Sequence, residues 1–128
     1  MQVRSYMSKS PVTIRSDAGY ADAFEIMQKQ HLHHLPVLDR EERIVGILTR
    51  RDLQLAAQHF QDAPVEVSDV MHTPVVTISP DDALSVAARQ MIEHQIGGLP
   101  VLEADGRMVG ILTETDLLRA LVDLLDKS

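Results

Sequence analysis

At 128 residues, 45% of them hydrophobic, the chain carries enough apolar material for a buried core of ordinary domain size. A formal net charge of -7 with no basic block, and an aromatic content of only 3%, set nucleic acid aside as a partner, because phosphate would be repelled and bases would find no stacking platform. The absence of Cys excludes disulfides, thiolate nucleophiles and thiolate metal sites together. No apolar run approaches the roughly 20 residues of a membrane span, and the opening MQVRSYMSKS lacks the apolar core of a signal peptide, so a soluble cytoplasmic protein is expected, with no membrane partner.

In chain order the pattern predicts a short strand over 12–14, then a helix start at Ser16-Asp17. Tyr20, Ala23, Phe24 and Met27 recur at i, i+3, i+4 and i+7, an amphipathic helix with its apolar stripe toward a core. Strands over 35–38 and 44–49 follow, joined by Asp39-Arg40-Glu41-Glu42 as a hairpin, and a helix over 50–60 closes the unit. Residues 61–66, with Ala63-Pro64, read as a short linker. The series then repeats. A strand over 75–78 leads to Ser79 as N-cap with Pro80 at the first helical position, and Leu84, Ala87, Ala88 and Met91 form the second stripe. Strands over 99–102 and 108–113 flank the Asp105-Gly106 turn, and the closing helix over 114–126 carries Leu117, Leu118, Leu121, Val122 and Leu125 at helical spacing.

The repetition is literal. With a constant shift of 64 and no gap, residues 7–57 overlay residues 71–121 with 20 of 51 positions identical, including GILTRRD at 46–52 against GILTETD at 110–116. The expected architecture is therefore α/β (α+β), two β-α-β-β-α repeats over 1–60 and 67–128, each with a small sheet and two helices. Two such units of about 60 residues need each other's apolar faces for stability.

The doubled GILT phrase ends a buried strand, places Thr49 or Thr113 at the strand-to-helix junction, and puts Asp52 or Asp116 in the first helical turn. A helix N-terminus suits a phosphate, a Thr hydroxyl adds a hydrogen bond, and a carboxylate one turn on can accept from both ribose hydroxyls. Gly46 and Gly110 would let a ligand or a neighbouring backbone come close. The same Thr-x-x-Asp spacing is also that of a capping box, which requires no ligand, and duplication copies caps and sites alike. The phrase alone leaves both open.

Taken together, Thr-Ile at the first strand, Leu-Pro-Val-Leu at the second and Gly-Ile-Leu-Thr-x-x-Asp at the last junction, each present twice in the same order, resemble a tandem pair of CBS domains, the Bateman module named after cystathionine β-synthase. The resemblance covers about residues 3–125. It implies two repeats related by a pseudo-twofold axis that bind adenosine-containing ligands, AMP, ADP, ATP or S-adenosylmethionine, and regulate an attached or partner protein, without catalysis and without an obligatory cofactor. Carried over by position, one cleft would use Thr49, Arg51 and Asp52 with Thr77, Ile78, Gly97, Gly98 and Pro100. The other would use Thr113, Thr115 and Asp116 with Thr13, Ile14, His33, His34 and Pro36. In each, the resemblance gives the Asp to ribose, the Thr to phosphate or ribose, and the Leu-Pro-Val strand to adenine. Rigid strand entry is the alternative role of Pro36 and Pro100.

The two clefts differ in charge. Arg50 and Arg51 follow Thr49 and favour phosphate, whereas Glu114 and Thr115 follow Thr113, leaving His33 and His34 to compensate. The first cleft is thus expected to be the better site for a charged nucleotide, and the second to be weaker, pH-dependent, or suited to a less anionic ligand such as S-adenosylmethionine. His31, His33 and His34 also raise a metal reading, though along a strand His31 and His33 would share a face and His34 point away. No nucleophile sits with a base to suggest an enzyme. The surplus of apolar helix positions, notably Tyr20, Leu84, Leu121 and Leu125, points to a homodimer through helices, and a purely structural dimerisation module with empty clefts is the competing function.

Overall fold

The stripe at Tyr20, Ala23, Phe24 and Met27 becomes the inner face of a helix, α1 (Tyr20–Gln30), in which Ala23 and Met27 are fully buried. Its counterpart α4 (Leu84–His94) buries Leu84, Ala87 and Met91. The computed structural model describes residues 1–60 and 64–127. The remaining elements are β1 (Ser8–Lys9), β2 (Ile14–Arg15), β3 (His34–Leu38), β4 (Ile44–Thr49), α2 (Arg50–Phe60), α3 (Val67–Val70), β5 (Gly98–Leu102), β6 (Met108–Thr113) and α5 (Glu114–Asp126), with a 3-10 turn at Val3–Ser5. Residues 61–63 of the expected linker lie outside the described residues.

Both hairpins form, each from two short apolar runs buried on both faces. β3 pairs antiparallel with β4 so that Leu35 faces Leu48, and β5 pairs with β6 so that Leu99 faces Leu112; all four leucines are fully buried. Burying a side chain of this size stabilises by about 1.5–3 kcal/mol. The result is the expected α/β class, two three-stranded sheets in the orders β2-β3-β4 and β1-β6-β5, with helices.

Two expectations at the start of each repeat are corrected. The strand over 12–14 is the two-residue β2, parallel to β3 through Ile14 and Val37, and the strand over 75–78 reduces to one bridge between Ile78 and Val101. The chain turns off directly after Ile78, because the Ser79 amide donates to Asp82 Oδ2 (3.0 Å) and the Asp82 amide to the Ser79 carbonyl (3.1 Å). For the same reason Ser79 closes a tight turn and does not cap the helix, whose first residue is Leu84. Ser-Pro-Asp-Asp suits a turn as well as a cap.

The chain folds as two compact units that exchange their leading segments. One comprises Met1–Pro11 with the chain from Val76 onward, and the other comprises Val12–Val75. In the first, the Val3 and Arg4 amides donate to the carbonyls of Asp82 and Pro80, and the Leu84 amide donates to Met1. In the second, the Val67 and Ser68 amides donate to Ala18 and Ser16, and the Tyr20 amide donates to Val65, the same three bonds 64 residues apart. A further edge is added to each sheet by this exchange: β1 runs antiparallel to β6, and His72 bridges Ile47 of β4.

Gly46 and Gly110 serve this edge. A Cβ on Gly46 would lie 2.6 Å from Met71 Sδ and 2.9 Å from the His72 carbonyl oxygen, and one on Gly110 would lie 2.7 Å from the Ser8 carbonyl oxygen. The close approach expected at the GILT glycines is that of protein backbone. Among the described residues, no helix is long and apolar enough to cross a membrane.

Candidate functional site

Each Thr-x-x-Asp segment begins where a sheet strand passes straight into a helix. In the unit built on the first repeat, Thr49 ends β4 and α2 starts at Arg50. The Thr49 amide donates to Asp52 Oδ2 (2.8 Å), and the Asp52 amide donates back to Thr49 Oγ1 (3.1 Å). This is a reciprocal cap of the kind that satisfies the orphan donors of a helix start. The second oxygen, Asp52 Oδ1, lies 2.8 Å from Nε2 of His72, whose side chain is 60% exposed against 11% for Asp52.

The second repeat builds the same cap with a different partner. The Thr113 amide and hydroxyl donate to Asp116 Oδ2 (2.9 and 3.3 Å), while Arg119 Nη1 lies 3.2 Å from Asp116 Oδ1. Asp116 is 2% exposed. The capping-box reading of the sequence is thus realised in both halves, and each carboxylate also holds a cationic or imidazole group on its outer oxygen.

The remaining expected residues fall beside these caps. His34 pairs with Thr49 across the sheet and the Arg50 amide donates to the His33 carbonyl (3.1 Å), so His33, His34, Thr49 and Asp52 share one sheet end. Gly98 pairs with Thr113 and the Glu114 amide donates to the Gly97 carbonyl (3.1 Å), which gathers Gly97, Gly98, Thr113 and Asp116 in the same way. Ile78 lies against Pro100, its amide donating to the Pro100 carbonyl (3.1 Å), and Ile14 pairs with Val37 next to Pro36. Thr13 and Thr77 are half-buried one residue before these isoleucines, and Arg51 and Thr115 are exposed on the first helical turns. Pro36 and Pro100 are buried in mid-strand, opposite Ile47 and Ile111, so neither acts as a rigid strand entry. Each Thr-x-x-Asp segment therefore adjoins strands of its own repeat.

Two charges expected at phosphate are placed elsewhere. Arg50 Nη2 reaches the carbonyls of Met27 (3.3 Å) and Leu32 (3.2 Å) at the end of α1, where it satisfies helix C-terminal acceptors. Glu114, at the matching position, lines a groove between α4 and α5 with Met91 and Leu117. The charge difference beside the two caps is Arg51 against Thr115 on the first helical turns, and His72 against Arg119 on the outer carboxylate oxygens. The His tract also departs from expectation: His31 is the left-handed C-cap of α1 (φ 54°) and β3 begins only at His34, so His31 and His33 share no strand face. Among the described residues, no group of three or more His, Cys, Asp or Glu could hold a metal ion.

His72 and Arg119 were not legible as site residues. His72 is 20 positions from Asp52 and reaches it only through segment exchange, and Arg119 matches Leu55 in the first repeat.

The family model for the CBS domain matches residues 3–59 and again 67–123. The chain is 34% identical to a CBS domain-containing protein of Dictyostelium discoideum, over 97% of this chain and 93% of the relative. It is 31% identical to the L-aspartate semialdehyde sulfurtransferase of Methanocaldococcus jannaschii, over 91% of this chain but only 22% of that enzyme's length. Among solved structures, it is similar to the CBS domain pair of protein MJ0100 in complex with 5-methylthioadenosine and S-adenosyl-L-methionine, with a TM-score of 0.87 and 30% identity over 96% of this chain and 97% of the other. It is also similar to CBSX2 in complex with AMP, with a TM-score of 0.81 and 25% identity over 96% and 97% of the two chains.

Proposed function

The chain belongs to the CBS-domain family as a tandem pair of CBS domains, and from that premise we propose that it is a cytoplasmic regulatory module that binds an adenosine-containing ligand and passes its occupancy to a partner protein or fused domain. The ligand is AMP, ADP, ATP or S-adenosylmethionine; no catalysis is assigned to the module. The observation that carries this reading is the doubled Thr-x-x-Asp at a helix N-terminus, in a chain similar to CBS pairs in complex with AMP and with S-adenosylmethionine.

The residues proposed to serve the ligand are Thr13, Ile14, His33, His34, Pro36, Thr49, Arg51 and Asp52 in one unit, and Thr77, Ile78, Gly97, Gly98, Pro100, Thr113, Thr115 and Asp116 in the other. Capping and binding are compatible, because the cap takes one carboxylate oxygen and leaves the other to exchange His72 or Arg119 for a ribose hydroxyl. Arg51 makes the first site the better one for phosphate, by a charge-assisted hydrogen bond that Thr115 cannot supply.

Isothermal titration with AMP, ADP, ATP and S-adenosylmethionine tests the reading, run beside Asp52→Asn and Asp116→Asn. The amide oxygen of Asn can still cap the helix, so loss of binding in either variant reports the outer oxygen. Heat that vanishes in one variant assigns the ligand to that site; no heat from folded, ligand-free protein refutes the sensor. In that event the reciprocal caps favour the second reading, a dimerisation module whose Thr-x-x-Asp segments only terminate helices.

A further inference from the structure

The duplication gives each place in one unit a counterpart 64 residues away in the other, and at the end of the first long helix the two backbones match closely. α1 closes on His31 (φ 54°) with the Leu32 amide donating to the Met27 carbonyl (3.0 Å), and α4 closes on Gln95 (φ 53°) with the Ile96 amide donating to the Met91 carbonyl (3.1 Å). The heads of the closing helices are held alike. The Arg50 amide donates to the His33 carbonyl and the Glu114 amide to the Gly97 carbonyl, both at 3.1 Å.

Inside this common frame the side chains differ. Between α1 and α2, Arg50 Nη2 lies on the carbonyls of Met27 and Leu32, at the negative end of a helix that favours a cation, and the space left beside Phe24 is about 80 Å³. At the matching positions the other unit has Glu114 for Arg50 and Ala88 for Phe24. The groove between α4 and α5 is accordingly open, about 420 Å³, and Met91, Ile92, Ile96, Glu114 and Leu117 are among its walls. No Lys or Arg lines it among the described residues. The place that a guanidinium fills in one unit is thus left open in the other, with a carboxylate beside it.

We propose that the α4/α5 groove is a binding site for a free alkylguanidinium, a small molecule whose cation takes the place that Arg50 fills in the other unit and whose aliphatic chain lies along Ile92 and Leu117. One guanidinium nitrogen can serve the Met91 and Ile96 carbonyls, as Arg50 Nη2 serves those of Met27 and Leu32, and the planar fork leaves its other N–H groups for the Glu114 carboxylate. An ammonium is a point charge without that division of donors. Size agrees as well. A groove of about 420 Å³ with apolar walls and few polar groups falls in the range of roughly 300–1,000 Å³ occupied by small-molecule sites. A carboxylate with no cation beside it, on a chain of net charge -7, draws a cation rather than an anion. The site uses neither Asp52 nor Asp116, so it stands whether or not an adenosine ligand binds.

The test is methyl NMR of the full chain titrated with butylguanidinium, with its neutral isostere butylurea, and with an arginine peptide blocked at both ends. Butylguanidinium is expected to shift the methyl signals of Met91, Ile92 and Ile96 with a Kd on the order of 1 mM, ordinary for a ligand so small and far below the molar range in which guanidinium denatures. Butylurea is expected to bind at least about tenfold more weakly, and Glu114→Gln to weaken butylguanidinium to a similar degree. Ala88→Phe, which fills the groove as Phe24 does and leaves the charge, is expected to abolish binding. Glu114 is exposed and Ala88 half-buried, so both variants keep the core. Equal binding of butylurea and butylguanidinium, or of butylguanidinium to the parent and Glu114→Gln, overturns the cation site. A peptide bound at least about tenfold more tightly than butylguanidinium gives the groove to an arginine of a partner protein and overturns the free ligand. Signals of Ile92 that move on dilution with no probe present place a second copy over the groove, and overturn it too.

Discussion

His72 Nε2 stands 2.8 Å from Asp52 Oδ1, on the far side of the carboxylate from the Thr49 amide at 2.8 Å. The carboxylate offered to a ribose is thus held at both oxygens, and a hydroxyl that donates to Oδ1 must first displace the imidazole. The matching contact in the other unit is Arg119 on Asp116, a guanidinium from the same helix on a carboxylate that is nearly sealed from solvent. His72 arrives on the exchanged segment, at the position taken by Ser8 in the first repeat, so it is the part of the site free to change without disturbing the cap. His72→Ala is expected to tighten adenosine-ligand binding at the Asp52 site by about 3–10-fold, the worth of one net hydrogen bond. Binding at the Asp116 site stays unchanged. Calorimetric titration of both proteins with AMP checks it, and equal affinities would show that His72 does not compete for the carboxylate.

The glycines of the GILT phrase give a stability prediction. Gly46→Ala would set a Cβ 2.9 Å from the His72 carbonyl oxygen, and Gly110→Ala would set one 2.7 Å from that of Ser8. Backbone atoms bridged into a sheet edge cannot swing aside as a side chain does, so the exchanged segment must shift. Each substitution is expected to lower unfolding stability by about 1–3 kcal/mol. Adding Met71→Ala to Gly46→Ala should not restore it, because the carbonyl contact persists when Met71 Sδ is gone. Urea unfolding of the three variants reads this directly.

These two cases show what the sequence made legible and what it hid. The hairpins and the closing helices are readable to within a residue, because Leu35-Pro36-Val37-Leu38 is a short apolar run bounded by turn residues, Asp105-Gly106 is a turn signal, and the α5 leucines carry the helical period. Gly46 was readable as a point of close approach, but its neighbour was not, since Met71 and His72 come from the other repeat. Proximity in sequence to Thr49 points Arg50 at phosphate, but says nothing about a side chain long enough to reach back to the Met27 carbonyl. The cap expected at Ser79 is a turn instead, because a turn and a helix cap use the same Ser-Pro-Asp-Asp chemistry. What escaped at Gly46 and Arg50 depends on a partner more than a helical turn away in sequence.

Arg50 and Arg51 should separate stability from binding. Arg50 donates to the carbonyls that end α1, so Arg50→Ala is expected to cost about 1 kcal/mol of unfolding stability and to leave nucleotide affinity unchanged. Arg51 is exposed on the first turn of α2, so Arg51→Ala should move stability by no more than about 0.5 kcal/mol. It should weaken ATP binding about tenfold, the loss of one charge-assisted contact to phosphate, with a smaller effect on S-adenosylmethionine. Thermal melts and titrations of both variants complete the cross, and loss of affinity in Arg50→Ala alone would return that residue to the ligand.

At alkaline pH the tie between the chain's opening turn and its last helix should fail first. The Tyr6 hydroxyl donates to Asp123 Oδ2 at 2.7 Å, joining the Val3–Ser5 turn to α5. That hydrogen bond, with burial and the carboxylate's negative charge behind it, raises the Tyr6 pKa above the ordinary phenol value of 10.0. A raised pKa means that the fold favours the protonated phenol. Its contribution is fully present below the unfolded value and is lost as pH rises through the folded one, where phenolate and carboxylate repel. Tyr6→Phe, which cannot donate, is therefore expected to be less stable than the parent at neutral pH, with the gap closing above about pH 10. Urea unfolding of the two proteins from pH 7 upward measures that gap, and a difference that stays constant across the range would mean that the Tyr6–Asp123 bond contributes nothing to holding α5.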